Sequence, residues 1–133
     1  MPDDLAALVV GHEMAFRKQW GYRRLDPADW WAERVDVDAG LSTVATHDGE
    51  IVGFCLCGRG RVAELGVSTD WRRRGIGERL LRHAIHELLR EKARPISLEV
   101  DGANDSGARE LYDRAGFVRL SATTIWAAPL AAK

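Results

Sequence analysis

Residues 67–77 read Val67-Ser68-Thr69-Asp70-Trp71-Arg72-Arg73-Arg74-Gly75-Ile76-Gly77. The segment leaves an apolar, strand-like run and opens the most strongly periodic helix pattern in the chain. Glycines let a backbone turn with its N–H groups pointing inward, and a helix N-terminus adds unbonded donors and a positive dipole end. Together they make a nest for an anion, best suited to a phosphate or pyrophosphate. Arg72, Arg73 and Arg74 bring positive charge to its rim, although three arginines before a helix also suit a solvated face. A Walker-type loop would need Gly-x-x-x-x-Gly-Lys followed by Ser or Thr, and no such run exists. The pair Gly75–Gly77 lacks the third glycine of a dinucleotide fingerprint.

Other chemistry-bearing residues are less telling. Cys55 and Cys57 alternate onto one strand face, but two more metal ligands with suitable spacing do not stand out, so they read as core or pocket wall. His83 and His86 stand three apart on the long helix and do not complete a metal site. No metal is expected.

The elements that must position the loop follow from periodicity and punctuation. Leu5, Leu8, Val9 and Phe16 recur at helical spacing behind Asp3 and Asp4, predicting a helix over 4–20 that Gly21 breaks. Asp26-Pro27 is a cap followed by a residue pre-set for the first helical position, predicting a short helix over 27–35. The pattern then alternates. Strands are expected over 41–46, 50–57 and 61–67, joined by turns at Asp48-Gly49 and Gly58-Arg59-Gly60, as an antiparallel meander. Leu80, Leu81, Ala84, Ile85, Leu88 and Leu89 predict one buried stripe on a helix over 77–92. A strand over 95–100, a helix over 106–115 stopped by Gly116, and a closing hairpin over 117–120 and 123–126 complete the chain. The expected fold class is α/β (α+β), a mixed, mainly antiparallel twisted sheet flanked by helices.

At 133 residues a single domain over 1–133 is expected. Nineteen basic and 20 acidic residues give a net charge of −1, without the basic excess of a nucleic-acid binder. A hydrophobic share of 46% excludes a disordered chain. The first residues are acidic and the apolar run 5–10 stops at Gly11, unlike a secretory signal. No stretch approaches the roughly 18 apolar residues of a membrane span. The cytoplasm is the expected compartment, with Cys55 and Cys57 reduced.

Arg72-x-x-Gly75-x-Gly77 resembles the Gln/Arg-x-x-Gly-x-Gly/Ala signature of the GNAT superfamily of acyl-CoA-dependent N-acyltransferases. The resemblance extends over roughly 3–126. Ile51-Val52-Gly53-Phe54 looks like the third strand of that fold and Leu65-Gly66-Val67 like the end of its fourth. Leu98-Glu99-Val100, Asn104, Ala108, Leu111-Tyr112 and Gly116-Phe117 follow in the family's order and spacing. Within the superfamily, 100–104 and 16–21 look most like mycothiol-synthase-type and similar actinobacterial domains. Members usually open with a strand before a Pro-Asp-Asp-Leu-like helix start, so the first strand is expected to be absent here. That would expose the edge of the strand over 41–46 and invite pairing with a second copy, a possible homodimer.

The resemblance implies transfer of an acetyl group from acetyl-CoA, as co-substrate, to a primary amine by direct attack in a ternary complex. Backbone N–H groups of Arg72, Arg73, Arg74, Gly75, Ile76 and Gly77 would hold the pyrophosphate. Leu65, Gly66 and Val67 would pair with the pantetheine arm, and the Val67 N–H would face the thioester oxygen. Asn104 and Ala108 match cofactor-contacting positions. Tyr112 matches the general-acid tyrosine that protonates the leaving thiolate. A lysine-like amine titrates near ~10.4 and needs a base or water relay, for which Glu64 is the first candidate, with Glu99 and His47 behind it. Trp20, Trp30 and Trp31 would wall the acceptor site or fill the sheet where the first strand is missing. Glu13, Asp26, Asp29 and Glu33 make that region acidic, which suits a cationic amine. A small-molecule amine is favoured over a protein acceptor, with no nucleic acid or membrane as partner. Two other readings stand beside the enzyme: a non-catalytic acyl-CoA sensor of the same fold, and an interaction module using its arginines.

Overall fold

The computed structural model describes residues 4–18, 23–92, 95–98 and 108–118, with the side chain of Ala108 left aside. Helix α1 spans Leu5–Phe16 and α2 spans Pro27–Ala32. Strands β1 (Thr43–His47), β2 (Glu50–Gly58) and β3 (Arg61–Val67) follow, then α3 (Ile76–Arg90), β4 (Ser97–Leu98) and α4 (Ala108–Arg114). The order in the sheet is β1-β2-β3-β4, with the first two pairings antiparallel and β3–β4 parallel. The mixed, mainly antiparallel sheet is as expected.

Turn chemistry sets the meander. Asp48 and Gly49 have φ of 50° and 81°, and Arg59 and Gly60 have 51° and 74°. Two successive left-handed residues match the twist of the strands they join. Among the described residues no strand precedes β1, which lies at the sheet edge. The first turn of α2 is capped by Asp26, whose carboxylate accepts from the N–H groups of Ala28 at 3.0 Å and Asp29 at 3.2 Å.

Alternation along β2 divides the core. Phe54 and Leu56 face α1 and α2, where they pack with Leu5, Leu8, Ala15 and Trp30. Cys55 and Cys57 face α3 and α4, where they pack with Leu80, Leu81, Ala84, Leu88 and Tyr112. The stripe on α3 is narrower than expected. Ile85 is half-buried and Leu89 is exposed, because the helix rolls Leu81, Ala84 and Leu88 onto the sheet.

Both β2 ladders carry a bulge. Leu56 pairs with Glu64 but Cys57 pairs with Val62, leaving Ala63 as the extra residue on β3. A bulge breaks the two-residue alternation. Val62 faces α3, whereas Gly66 packs on the α1 side, against Phe54 and Phe16. Without the bulge the two would share one face. The sequence pattern gave no sign of it.

The expected ends differ in detail. α1 stops at Phe16 rather than 20, and α2 stops at Ala32, where Arg34 N–H bonds the Trp31 carbonyl in a tighter turn. α4 closes as anticipated. Gly116 takes φ of 96°, its N–H bonds Asp113, and the Phe117 N–H bonds Tyr112. This is a Schellman arrangement, and the rings of Tyr112 and Phe117 supply its usual apolar contact. The closing hairpin, beyond Val118, lies outside the described residues, as do Trp20, Glu99 and Asn104. Among the described residues no helix is long and apolar enough to cross a membrane.

Candidate active site

The loop between β3 and α3 forms the first half of the site. Thr69–Trp71 make a single 3-10 turn, and the chain then passes through Arg73 at φ 63° and Gly75 at φ 79°. Gly75 is the N-cap of α3 and offers no side-chain cap, so the first-turn N–H groups are not taken up by one. Arg79 N–H is bonded to the Gly75 carbonyl, which leaves the N–H groups of Ile76, Gly77 and Glu78 ahead of the helical ladder. Among the described residues a Cβ on Gly75 would meet no heavy atom within 4 Å. A Cβ on Gly77 would touch Leu111 at 3.4 Å and Val67 at 3.7 Å, ordinary van der Waals contact that leaves room for an alanine. Donors, open space and an αL cap fit a pyrophosphate.

Arg72 differs from its expected place. Its side chain does not stand on the rim. Its Nε donates to the Val67 carbonyl at 3.1 Å and its Nη2 to the Ala15 carbonyl at 2.8 Å. Arg73 and Arg74 are the exposed cations, and Arg74 lies over the Trp71 ring at 4.7 Å.

The end of β3 forms the second half. Ser68 N–H donates to the Val52 carbonyl at 2.8 Å, and Val67 stands opposite Gly53. In an antiparallel ladder, bonded and non-bonded pairs alternate. Val67 and Leu65 therefore turn their N–H and C=O groups away from β2, toward the side on which β4 lies. Gly66 lies between them, and a Cβ there would come within 2.6 Å of Phe54 Cζ.

Tyr112 is buried at 8% exposure on the α3 side of the sheet, in the same cluster as Cys55 and Cys57. Burial, and then the neighbouring Cys55, push its phenol up to about 12. It holds its proton throughout the neutral range. Cys55 and Cys57 are free thiols with sulfurs 3.7 Å apart. The contact with Cys57, together with burial, pushes the Cys55 thiol far up, away from nucleophilic character.

Glu64 lies on β3, on the opposite face of the sheet from Tyr112, among residues of α1 and the segment after α2. Arg34 Nη2 stands 2.8 Å from Oε1, and His12 Nε2 stands 2.9 Å from Oε2. Arg34 is held further by a bond from Nη1 to the Trp30 carbonyl at 2.8 Å, and its guanidinium lies 3.8 Å from the Trp30 ring. The rings of Phe16, Trp30 and Phe54 surround His12. The sequence reading missed His12 and Arg34. Only the spacing of His12 from Phe16 on one helix face could have hinted at them. Trp30 is a core residue and Trp31 is half-buried against it, while His47 is exposed beside Trp71.

This fold is shared with solved acetyltransferases. A GCN5-related N-acetyltransferase from Sphaerobacter thermophilus superposes with a TM-score of 0.73 at 31% identity, over 87% of this chain and 38% of that one. A GNAT family acetyltransferase from Brucella melitensis, solved in complex with acetyl-CoA, gives 0.65 at 23% identity, over 90% and 79%. The profile of the acetyltransferase (GNAT) family matches residues 6–117, and the chain belongs to that family. Among characterised relatives, a mycothiol acetyltransferase of Propionibacterium freudenreichii is 32% identical over 86% of this chain and 40% of its own length. N-alpha-acetyltransferase MAK3 of Arabidopsis thaliana is 34% identical over 59% of this chain and 45% of its own. The chain spans less than half the length of the curated relatives it matches.

Proposed function

We propose that this chain, as a single domain, moves the acetyl group of acetyl-CoA to a primary amine by direct attack in a ternary complex. The observation that carries the reading is the uncapped α3 N-terminus behind Gly75, next to a strand end whose Leu65 and Val67 backbone groups turn away from β2. Acetyl-CoA supplies an acetyl thioester, already activated for acyl transfer. The N–H groups over 72–77 hold its pyrophosphate, while Leu65, Gly66 and Val67 align the pantetheine arm as an added strand. Asn104 and Ala108 are further cofactor-contacting positions in this reading. The Val67 N–H meets the carbonyl oxygen as charge develops on it. The amine nitrogen bonds the acetyl carbon as the carbon–sulfur bond breaks. Tyr112, protonated at neutral pH, gives its proton to the departing sulfur. Glu64 takes the proton lost by the amine, directly or through water.

In this reading Trp31, together with Trp20, walls the acceptor, and Trp30, buried in the core, backs Trp31. The two-residue turns after β1 and β2 carry no insertion suited to gripping a peptide, which favours a small amine. Incubation of the purified chain with acetyl-CoA and a panel of small amines and short peptides, followed by free-thiol detection, tests the proposal. Amine-dependent thiol release supports it. Acetyl-CoA binding without release for any amine would favour a sensor of the same fold.

A further inference from the structure

Two side chains tie the phosphate loop to the end of helix α1. The last carbonyls of a helix have no partner within it. Those of Met14 and Ala15 receive Thr69 Oγ1 at 3.4 Å and Arg72 Nη2 at 2.8 Å. No basic residue of α1 itself lies in its last turn; Arg17 is its C-cap and Lys18 follows, while the side chain that bonds the Ala15 carbonyl is Arg72 of the loop. The same Arg72 bonds the Val67 carbonyl at 3.1 Å, where β3 gives way to the loop. α1 in turn carries His12, which stands 2.9 Å from Glu64, and Phe16, which packs against His12 and Phe54. A continuous set of contacts thus runs from the phosphate loop, through Arg72 and the α1 C-terminus, to the Glu64 cluster.

We infer that Arg72, assisted by Thr69, is a positioning residue that couples occupancy of the phosphate loop to the placement of α1, and so of His12 beside Glu64. The inference rests on the reading of 72–77 as the acetyl-CoA site. It assigns the Arg72 side chain a task separate from its backbone N–H. A loop that settles around a diphosphate fixes the Arg72 backbone, and the guanidinium carries that constraint to the Ala15 carbonyl. Such coupling is reciprocal, so an ordered α1 also favours the occupied loop.

Amide hydrogen exchange on the whole chain, with and without saturating acetyl-CoA, reads this directly. In the wild type, acetyl-CoA is expected to slow exchange over 72–79 and also over 10–18, the latter by about fivefold or more. In Arg72→Ala the slowing over 72–79 persists while that over 10–18 is lost. Arg72→Gln, which keeps an amide donor, restores part of it. A purely structural role would change exchange over 10–18 equally with and without acetyl-CoA. Thr69→Ala supplies an independent variant should Arg72→Ala fail to fold, and it should weaken the same increment. Protection over 72–79 with none over 10–18 in the wild type overturns the inference and leaves the site reading intact. An undiminished increment over 10–18 in Arg72→Ala does the same. No protection anywhere overturns the site reading itself, and the inference with it.

Discussion

Tyr112 and Glu64 divide the proposed proton traffic, and their surroundings differ in kind. Tyr112 is enclosed by apolar side chains and a thiol, and its raised pKa makes a donor that stays loaded at neutral pH. Tyr112→Phe should lower kcat by about a hundredfold with acetyl-CoA affinity unchanged, as steady-state rates beside a binding titration would reveal. The shift also has a stability consequence with a definite sign. The folded protein keeps the phenol proton from the ordinary value of 10.0 up to about 12, while the unfolded chain releases it. Stability is therefore unaffected below pH 10 and falls between pH 10 and 12, by roughly 2–3 kcal/mol. Denaturant unfolding of wild type against Tyr112→Phe should show this loss in the wild type only. Glu64 instead is braced by Arg34 and His12. Glu64→Leu would leave the Arg34 guanidinium without its carboxylate and should cost about 3 kcal/mol in chemical denaturation. Tyr112 entered through the family resemblance carried by Leu111-Tyr112 and Gly116-Phe117, and its burial beside Cys55 was not readable from the sequence. Glu64 was legible as a position on β3, but its partners were not, since His12 and Arg34 lie far from it along the chain and only the packing of α1 and α2 unites them. Arg72 was legible as a type and misread as a rim charge, because a sequence does not say which carbonyl a guanidinium will reach.

At the scale of elements, the sequence spoke most clearly where local chemistry decides. The αL turns at Asp48-Gly49 and Arg59-Gly60, the Asp26 cap and the Gly116 stop all form where the residues indicated. Element ends set by tertiary contacts were harder, as in α1 and α2. The bulge at Ala63 was invisible, yet it separates the faces of Val62 and Gly66 and so decides where β3 presents its backbone. Close approach of backbones was equally hidden. A Cβ on Gly58 would lie 1.7 Å from the Asp36 carbonyl oxygen, a contact no side-chain movement can relieve. Gly58→Ala should therefore cost about 3 kcal/mol or more, a fall in melting temperature of roughly 10 °C. A thermal melt checks it, and an unchanged midpoint would mean that the segment before β1 is not held against β2 as described.

The whole chain is nearly neutral, with a net charge of −1, so its affinity for a polyanionic co-substrate has to come from the arrangement at one loop rather than from overall charge. β1 lies at the edge of the described sheet, and pairing with a second copy there would double the mass seen by light scattering at working concentration. A monomeric mass would remove that expectation and leave the site reading untouched. The most direct test of the loop as an acetyl-CoA site is a calorimetric titration of the purified chain with acetyl-CoA, repeated in the presence of excess ATP. One acetyl-CoA per chain should bind saturably in the micromolar range, and ATP should not displace it. Absence of binding up to millimolar acetyl-CoA, or equal displacement by ATP, would contradict the site reading.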